Sequence, residues 1–392
     1  MRIFSSNIKR MYLFNFLLNM HFVAGVLVPF MTQWGNISFS QIMLLQSFFM
    51  ISIFALEVPT GAVADYLGRK TSLILSAIVH SLAALVYASY PSFYVFMLGE
   101  FLWALGAALL SGADSAMVYD TLKTEGGEIE SKSIFGRMQS SMLAAIMISA
   151  PMGSMIAATV GLRYSMMMLS LPCFLAAIVG LSLEEPAIFT EKKEKNYLGT
   201  IREGFSYFRH HRVLRILAFD SIFIGNLLFM IIWMYQPMLT ELKVSIFFFG
   251  FVSAGMTLTE IGILNNFARI ENFLGSKRRY ILFSAILPGM GMILISINSL
   301  VPITVILIFI VGGFGLTRVT LYQSYMNKYI DSHNRATVLS TISMISVLVR
   351  SVSYPIYGLL IEWSLRNTFL MIGILALAFA LISRVREEHL ID

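Results

Sequence analysis

Cysteine and charge are what this sequence has least of. A single cysteine, Cys173, lies inside an apolar run, so no intramolecular disulfide can form. Charged residues fill only 13% of the 392 positions, against roughly 25% in soluble domains. That scarcity excludes a water-facing surface over most of the chain. No Gly-Lys-Ser/Thr loop is present, so nucleotide hydrolysis is not expected. The lone cysteine and scattered histidines lack metal-ligand spacing, and the few polar residues supply no nucleophile–base set. No metal, no cofactor and no enzyme activity are expected.

Long apolar runs take the place of what is missing. Hydrophobic residues make up 57% of the chain and mean hydropathy is +0.76. At about 20 apolar residues per span, the sequence predicts an all-α integral membrane protein of 12 transmembrane helices. They run approximately over 11–34, 38–64, 71–90, 92–120, 136–160, 163–183, 214–239, 244–269, 280–298, 301–327, 336–361 and 366–384. The opening MRIFSSNIKRMYLF has no small-residue cleavage site and reads as a retained first span.

The basic residues sort by side. Of 28 Lys and Arg, only Arg163, Lys243 and Arg366 fall in outer loops and only Arg318 and Arg350 within spans. The rest mark inner segments, which places both termini in the cytoplasm. The net charge of +6 is therefore topological, and no nucleic-acid partner is expected. The bacterial inner (plasma) membrane is the expected location. The polar stretch Glu184–Arg212 divides residues 1–183 from 214–392, six spans in each, with 184–213 as a cytoplasmic linker. Within it EEPAIFTEKKEKNY reads as solvated and LGTIREGFSYFRHHRVL as an amphipathic helix on the inner surface. The halves echo each other: Leu67-Gly68-Arg69-Lys70 against Leu274-Gly275-Ser276-Lys277, and Pro151 against Pro355.

Between the second and third spans stands EVPTGAVADYLGRK, with the spacing Gly61-x-x-x-Asp65-x-x-Gly68-Arg69-Lys70. It resembles the signature loop of the major facilitator superfamily, with Tyr66 where that pattern often has a basic residue. The resemblance implies two six-helix halves of parallel topology (6+6) and transport by alternating access. It also implies a gating latch on the cytoplasmic side formed by Asp65, Gly68, Arg69 and Asp120. Asn272 replaces the aspartate in the second copy, where a weaker latch is expected.

An ionisable group at mid-bilayer costs about 2.5–3.5 kcal/mol on insertion scales, so each needs a reason. They are Glu57, Glu100, Asp114, Asp220, Glu260, Arg318 and Arg350; spans three, six, nine and twelve have none in their interiors. In the fold this resembles, those four face lipid. Glu57, Asp114 and Glu260 are the expected proton-coupling residues, Glu57 because Pro59 frees backbone carbonyls beside it. Arg318 is read either as an interspan ion pair, with Asp114 or Glu260, or as a substrate contact. The expected substrate cavity draws on Asn19, His21, Glu100, Asp220, Asn226, Arg318, Tyr322 and Arg350. Ala150-Pro151-Met152-Gly153 is a fragment of the Gly-Pro motif of proton-coupled drug exporters, whereas Glu100 and Trp103 depart from their fourth span. The reading is a monomeric secondary transporter of a small organic solute, exporting by proton antiport. A proton-coupled importer or facilitator of a polar or anionic metabolite is the alternative, and a non-transporting membrane sensor a distant one. Small-molecule substrate, protons and the lipid bilayer are its partners.

Overall fold

Several helix starts are written locally. The Ser38 hydroxyl accepts from the Gln41 amide at 3.3 Å, and the Gln41 side chain accepts from the Ser38 amide at 2.9 Å. This reciprocal box satisfies two donors that the first helical turn leaves unpaired. Ser276 and Ser364 cap later helices one-sidedly, accepting from the amides of Arg279 and Asn367.

The computed structural model describes residues 6–125, 127, 130–186, 197–331 and 335–391. Among them every regular element is helical. The chain divides into two compact units, Met1–Lys193 with Ser245–Ala254, and Glu194–Val244 with Gly255–Asp392. Much of the expected solvated linker, residues 187–196, lies outside the described residues.

The first unit holds α1 (Ser6–Leu18), α2 (Leu27–Pro29) running into a π-helical turn (Phe30–Trp34), α3 (Phe39–Leu67) and α4 (Arg69–Tyr87). It continues with α5 (Phe93–Leu110), α6 (Ala113–Thr124), α7 (Ser131–Thr159) and α8 (Leu162–Leu181). Within it α4 packs against α5 and α8, and α3 against α5. The second unit holds α9 (Tyr197–His210), α10 (Arg212–Phe229) and α11 (Ile231–Glu241). From Gly255 onward it takes in most of α12 (Phe249–Asn265), then α13 (Phe267–Leu274), α14 (Lys277–Ile297), α15 (Val301–Met326), α16 (Arg335–Trp363) and α17 (Leu365–Ile382). Here α14 packs on α15 and α17, α10 on α15, and α9 on α16. The core gathers Leu214, Leu217, Tyr280, Tyr322 and Val338 from four of these helices. Spans three, six, nine and twelve carry large exposed apolar side chains, among them Leu82, Phe174, Leu294 and Leu381. Such faces suit lipid rather than water.

Eleven segments among the described residues are long and apolar enough to cross a membrane. The segment 11–34, expected as the first of twelve, is not a continuous helix. After Leu18 the backbone forms single turns through Val26 before α2 begins. The Asn19 side chain donates to the Asn15 carbonyl at 2.8 Å, competing for the group its own amide uses at 3.2 Å. Pro29 then has no amide to continue an upstream ladder. Irregular backbone at membrane depth is tolerated only where protein covers it. Gly153 of α7 provides that cover: a Cβ there would collide with the Phe22 carbonyl. Gly25 also lies against the backbone of Gly250, a Cβ at Gly25 falling 2.5 Å from the Gly250 Cα.

Span four is interrupted too. Gly112 adopts φ +76° between α5 and α6, a left-handed conformation that glycine enters without steric cost. Asp114 therefore sits in the first turn of α6, its carboxylate accepting from the Ser115 amide and hydroxyl. A negative charge there complements the helix N-terminus.

Candidate functional site

Two arginines stand within spans of the second unit, and they behave oppositely. Arg318 of α15 is 1% exposed and its guanidinium is almost fully committed. One nitrogen donates to the Ile281 carbonyl at 2.7 Å and the Ser284 hydroxyl at 2.6 Å. The other donates to Asp220 of α10 and, at 3.1 Å, to the Tyr322 hydroxyl. Tyr322 and Ser383 also donate to the Asp220 carboxylate. Arg318 thus forms an ion pair, but its partner is Asp220 and not Asp114 or Glu260. Asp220 lies directly across the α10–α15 packing contact. Arg318 and Tyr322 are consequently packed inside the unit, not open to a solute.

Arg350 of α16 has no carboxylate partner among the described residues. Its guanidinium lies over the Phe229 ring, 4.4 Å from the centroid, and its Nε is buried without an acceptor. A cation over an aromatic face gains roughly 0.5–2 kcal/mol, which holds the group without neutralising it. Asn226, three residues before Phe229 on α10, donates to the Ser353 hydroxyl at 2.9 Å and the Tyr357 hydroxyl at 3.5 Å. The Asn226 Oδ1 is buried and accepts nothing. A planar, singly charged fork of donors and an open acceptor can orient a solute carrying an anionic group and a hydrogen-bond donor. Ser353, Tyr357 and Phe229 were not among the sequence candidates. The i, i+3, i+7 spacing of Arg350, Ser353 and Tyr357 on one helical face was the available signal.

In the first unit Asn15 and Asn19 meet at the break in span one, Asn15 donating to the Met138 carbonyl at 2.9 Å. His21 follows, edge-on to Trp103 at 5.8 Å, and His80 meets the same indole at 4.7 Å. Glu100, expected in the cavity, is instead sealed inside this unit at 4% exposure. Gln46 donates to it at 2.5 Å and Tyr87 supplies a second hydrogen bond. Neutral donors from α3 and α4 stand where a cation was needed for a salt bridge. Glu57 is exposed and Glu260 half-buried, neither with a cationic partner among the described residues. The Thr60 hydroxyl takes up the Leu56 carbonyl at 2.8 Å near Pro59.

The two repeated loops are built alike. Gly68 and Gly275 both have positive φ, +92° and +73°. Arg69 forms an ion pair with Asp120 and donates to the Ala116 carbonyl at 2.9 Å. Asp65 lies close enough to support the Arg69 charge. Ser276 occupies the Arg69 position in the second copy, so this ion pair has no counterpart there. What both loops share is a carboxylate missed in the sequence. Glu185 accepts from the Arg69 and Lys70 amides, each at 2.8 Å. Glu387 accepts from the Lys277 and Arg278 amides, each at 2.9 Å, and from the Ser276 hydroxyl. The acidic pairs Glu184-Glu185 and Glu387-Glu388, each just after the last span of its half, were the legible sign.

Glu387 titrates accordingly. Partial burial pushes its carboxyl up, but the amides of Arg278 and Lys277, the Ser276 hydroxyl and the Lys277 charge together hold it below 4.5. A depressed native value adds stability above the unfolded value, and the gain is lost as pH falls through the native one. Glu387→Gln is expected to flatten the acid limb of thermal stability below about pH 4.5, read as melting temperature against pH. Parallel curves for variant and parent would refute the capping role.

The sequence matches the family model described as Major Facilitator Superfamily over residues 11–354. No curated protein sequence matches the chain. Solved structures of similar fold include the nucleoside transporter NupG, at TM-score 0.77 and 13% identity over 96% of this chain and 98% of that one. The POT family transporter PepTSo aligns at TM-score 0.71 and 12% identity over 96% of each chain. A bacterial homolog of the human lysosomal transporter Spinster aligns at 0.69 and 15%, covering 96% and 94%. At these identities the likeness is one of fold. With the family model spanning most of its length and a helical, membrane-crossing architecture shared with transporters, this chain belongs to the Major Facilitator Superfamily.

Proposed function

We propose that this protein carries a polar, anionic organic solute across the membrane by alternating access, driven by protons. The observation that carries the reading is Arg350, a guanidinium within a span, stacked on Phe229 and free of any described carboxylate. Asn226, with its open Oδ1, is the second contact. Glu57 and Glu260, acids without cationic partners, are the proton carriers in this scheme. Segment 11–34 is read as a broken first span added to the other eleven, which keeps the 6+6 arrangement and puts both termini on the inner side, in keeping with the distribution of Lys and Arg. Discontinuous helices are common at transporter substrate sites, and Asn19 and His21 sit at this one. The exporter-like fragment Ala150-Pro151-Met152-Gly153 has a packing reason, since Gly153 seats the Phe22 carbonyl. It therefore adds nothing about direction, and Arg350 favours a metabolite carrier over a drug exporter.

The test is flux in proteoliposomes under an imposed pH gradient. The panel includes nucleosides, dipeptides, 5-aminolevulinic acid, anionic metabolites and lipophilic cations. Gradient-driven movement of an anionic solute is expected. Movement of lipophilic cations with no anionic solute carried would overturn the proposal.

A further inference from the structure

Away from Arg350, the second unit has a cleft at the end where α10 begins and α17 finishes. Its outer part, about 680 Å³, is lined by Arg212, Arg278, Arg384 and Arg386 together with Glu388 and His389. Its inner part, about 390 Å³, runs between α10 and α17 past Arg215, Phe219, Phe223, Phe379 and Ile382. Glu388 is occupied by Arg386 at 3.3 Å, and Asp220, at the inner floor, by Arg318, Tyr322 and Ser383. Arg212, Arg215, Arg278 and Arg384 make no ion pair with a described residue, and the Nε of Arg215 is buried without an acceptor.

The inner part is a different surface. Phe219, Phe223 and Phe379 form a continuous aromatic stack, with centroid separations of 6.1 and 5.7 Å, and Ile382 is 68% exposed beside them. Arg212 opens its span and Ile382 closes the last one, so the basic part lies at the membrane–water boundary and the aromatic part just inside. From Arg212 to Phe223 the axial distance is about 16 Å. A free anion would use the arginines and leave this groove empty; an apolar molecule would use the groove and leave the arginines unpaired. Guanidinium forks match phosphate oxygens, and basic pockets between spans at this depth suit anionic lipid headgroups.

We propose that this cleft binds one anionic phospholipid, its phosphate held by Arg212, Arg215 and Arg384 and an acyl chain lying along Phe219, Phe223 and Ile382. The site is separate from the Arg350 solute site and does not depend on it.

Native mass spectrometry of the full-length protein in detergent tests this, with phosphatidylglycerol and phosphatidylcholine titrated in turn. At least about tenfold tighter binding of one phosphatidylglycerol is expected. Arg212→Gln/Arg384→Gln should abolish the preference while phosphatidylcholine binding stays as it was. Arg279→Gln, at the same end but outside the cleft, should leave the preference intact. Equal affinity for the two lipids, or a preference that survives the double substitution, overturns the proposal. Inorganic phosphate and glycerol phosphate are titrated as competitors against wild type, which needs no variant to fold. Displacement of phosphatidylglycerol by either at equal concentration would make the cleft a plain anion site and also overturn it.

Discussion

Asp220→Ala is expected to destabilise the protein by about 3–5 kcal/mol, the range for removing one partner of a buried ion pair. The carboxylate accepts from Arg318, Tyr322 and Ser383. Its loss leaves a guanidinium at 1% exposure with no compensating charge. The Ile281 carbonyl and Ser284 hydroxyl remain, but neutral acceptors do not offset the desolvation of a cation. Asp220→Ala/Arg318→Met should recover much of the loss, because the double variant no longer buries an uncompensated charge. Thermal unfolding of the purified protein in detergent, single against double, is the measurement. A single variant that melts like the parent would mean the pair contributes nothing.

The second large effect concerns transport and leaves the fold alone. Arg350→Lys keeps the charge but loses the planar fork and most of the stacking on Phe229. No described carboxylate is orphaned, so the stability cost should stay near the cation–π contribution, about 0.5–2 kcal/mol. A charge-assisted hydrogen bond to solute is worth about 1.5–3 kcal/mol, which corresponds to roughly a 10- to 150-fold loss of affinity. Apparent KM from concentration-dependent flux, with the melting temperature as control, separates the two. Unchanged KM would remove Arg350 from the solute site, whereas a collapse in melting temperature would make it structural.

These two arginines look the same in sequence: each stands alone in an apolar span, and insertion energetics flags both equally. Packing decides which one is spent. Arg318 faces α10 and α14 and finds Asp220, Ser284 and the Ile281 carbonyl, while Arg350 faces an aromatic ring. Glu100 and Glu57 separate for the same reason. Glu100 points between α3 and α4, where Gln46 and Tyr87 enclose it, and Glu57 remains on the surface of α3.

What the sequence determined by itself is what lipid imposes on every residue independently. Apolar runs of span length, serine caps, and a Gly-Arg-Lys turn between two spans need no knowledge of a neighbour. These made the helical membrane architecture and the superfamily legible. Which acid meets which base belonged to the tertiary structure, because partners such as Asp220 and Arg318, or Glu185 and the Arg69 amide, lie about a hundred residues apart. So did the break in span one, where a local competition at Asn19 becomes a defined bend only because Gly153 leaves room for the Phe22 carbonyl. Helices are fixed by each residue's transfer between water and lipid; sites are fixed by which side chains the packing of those helices brings within a hydrogen bond.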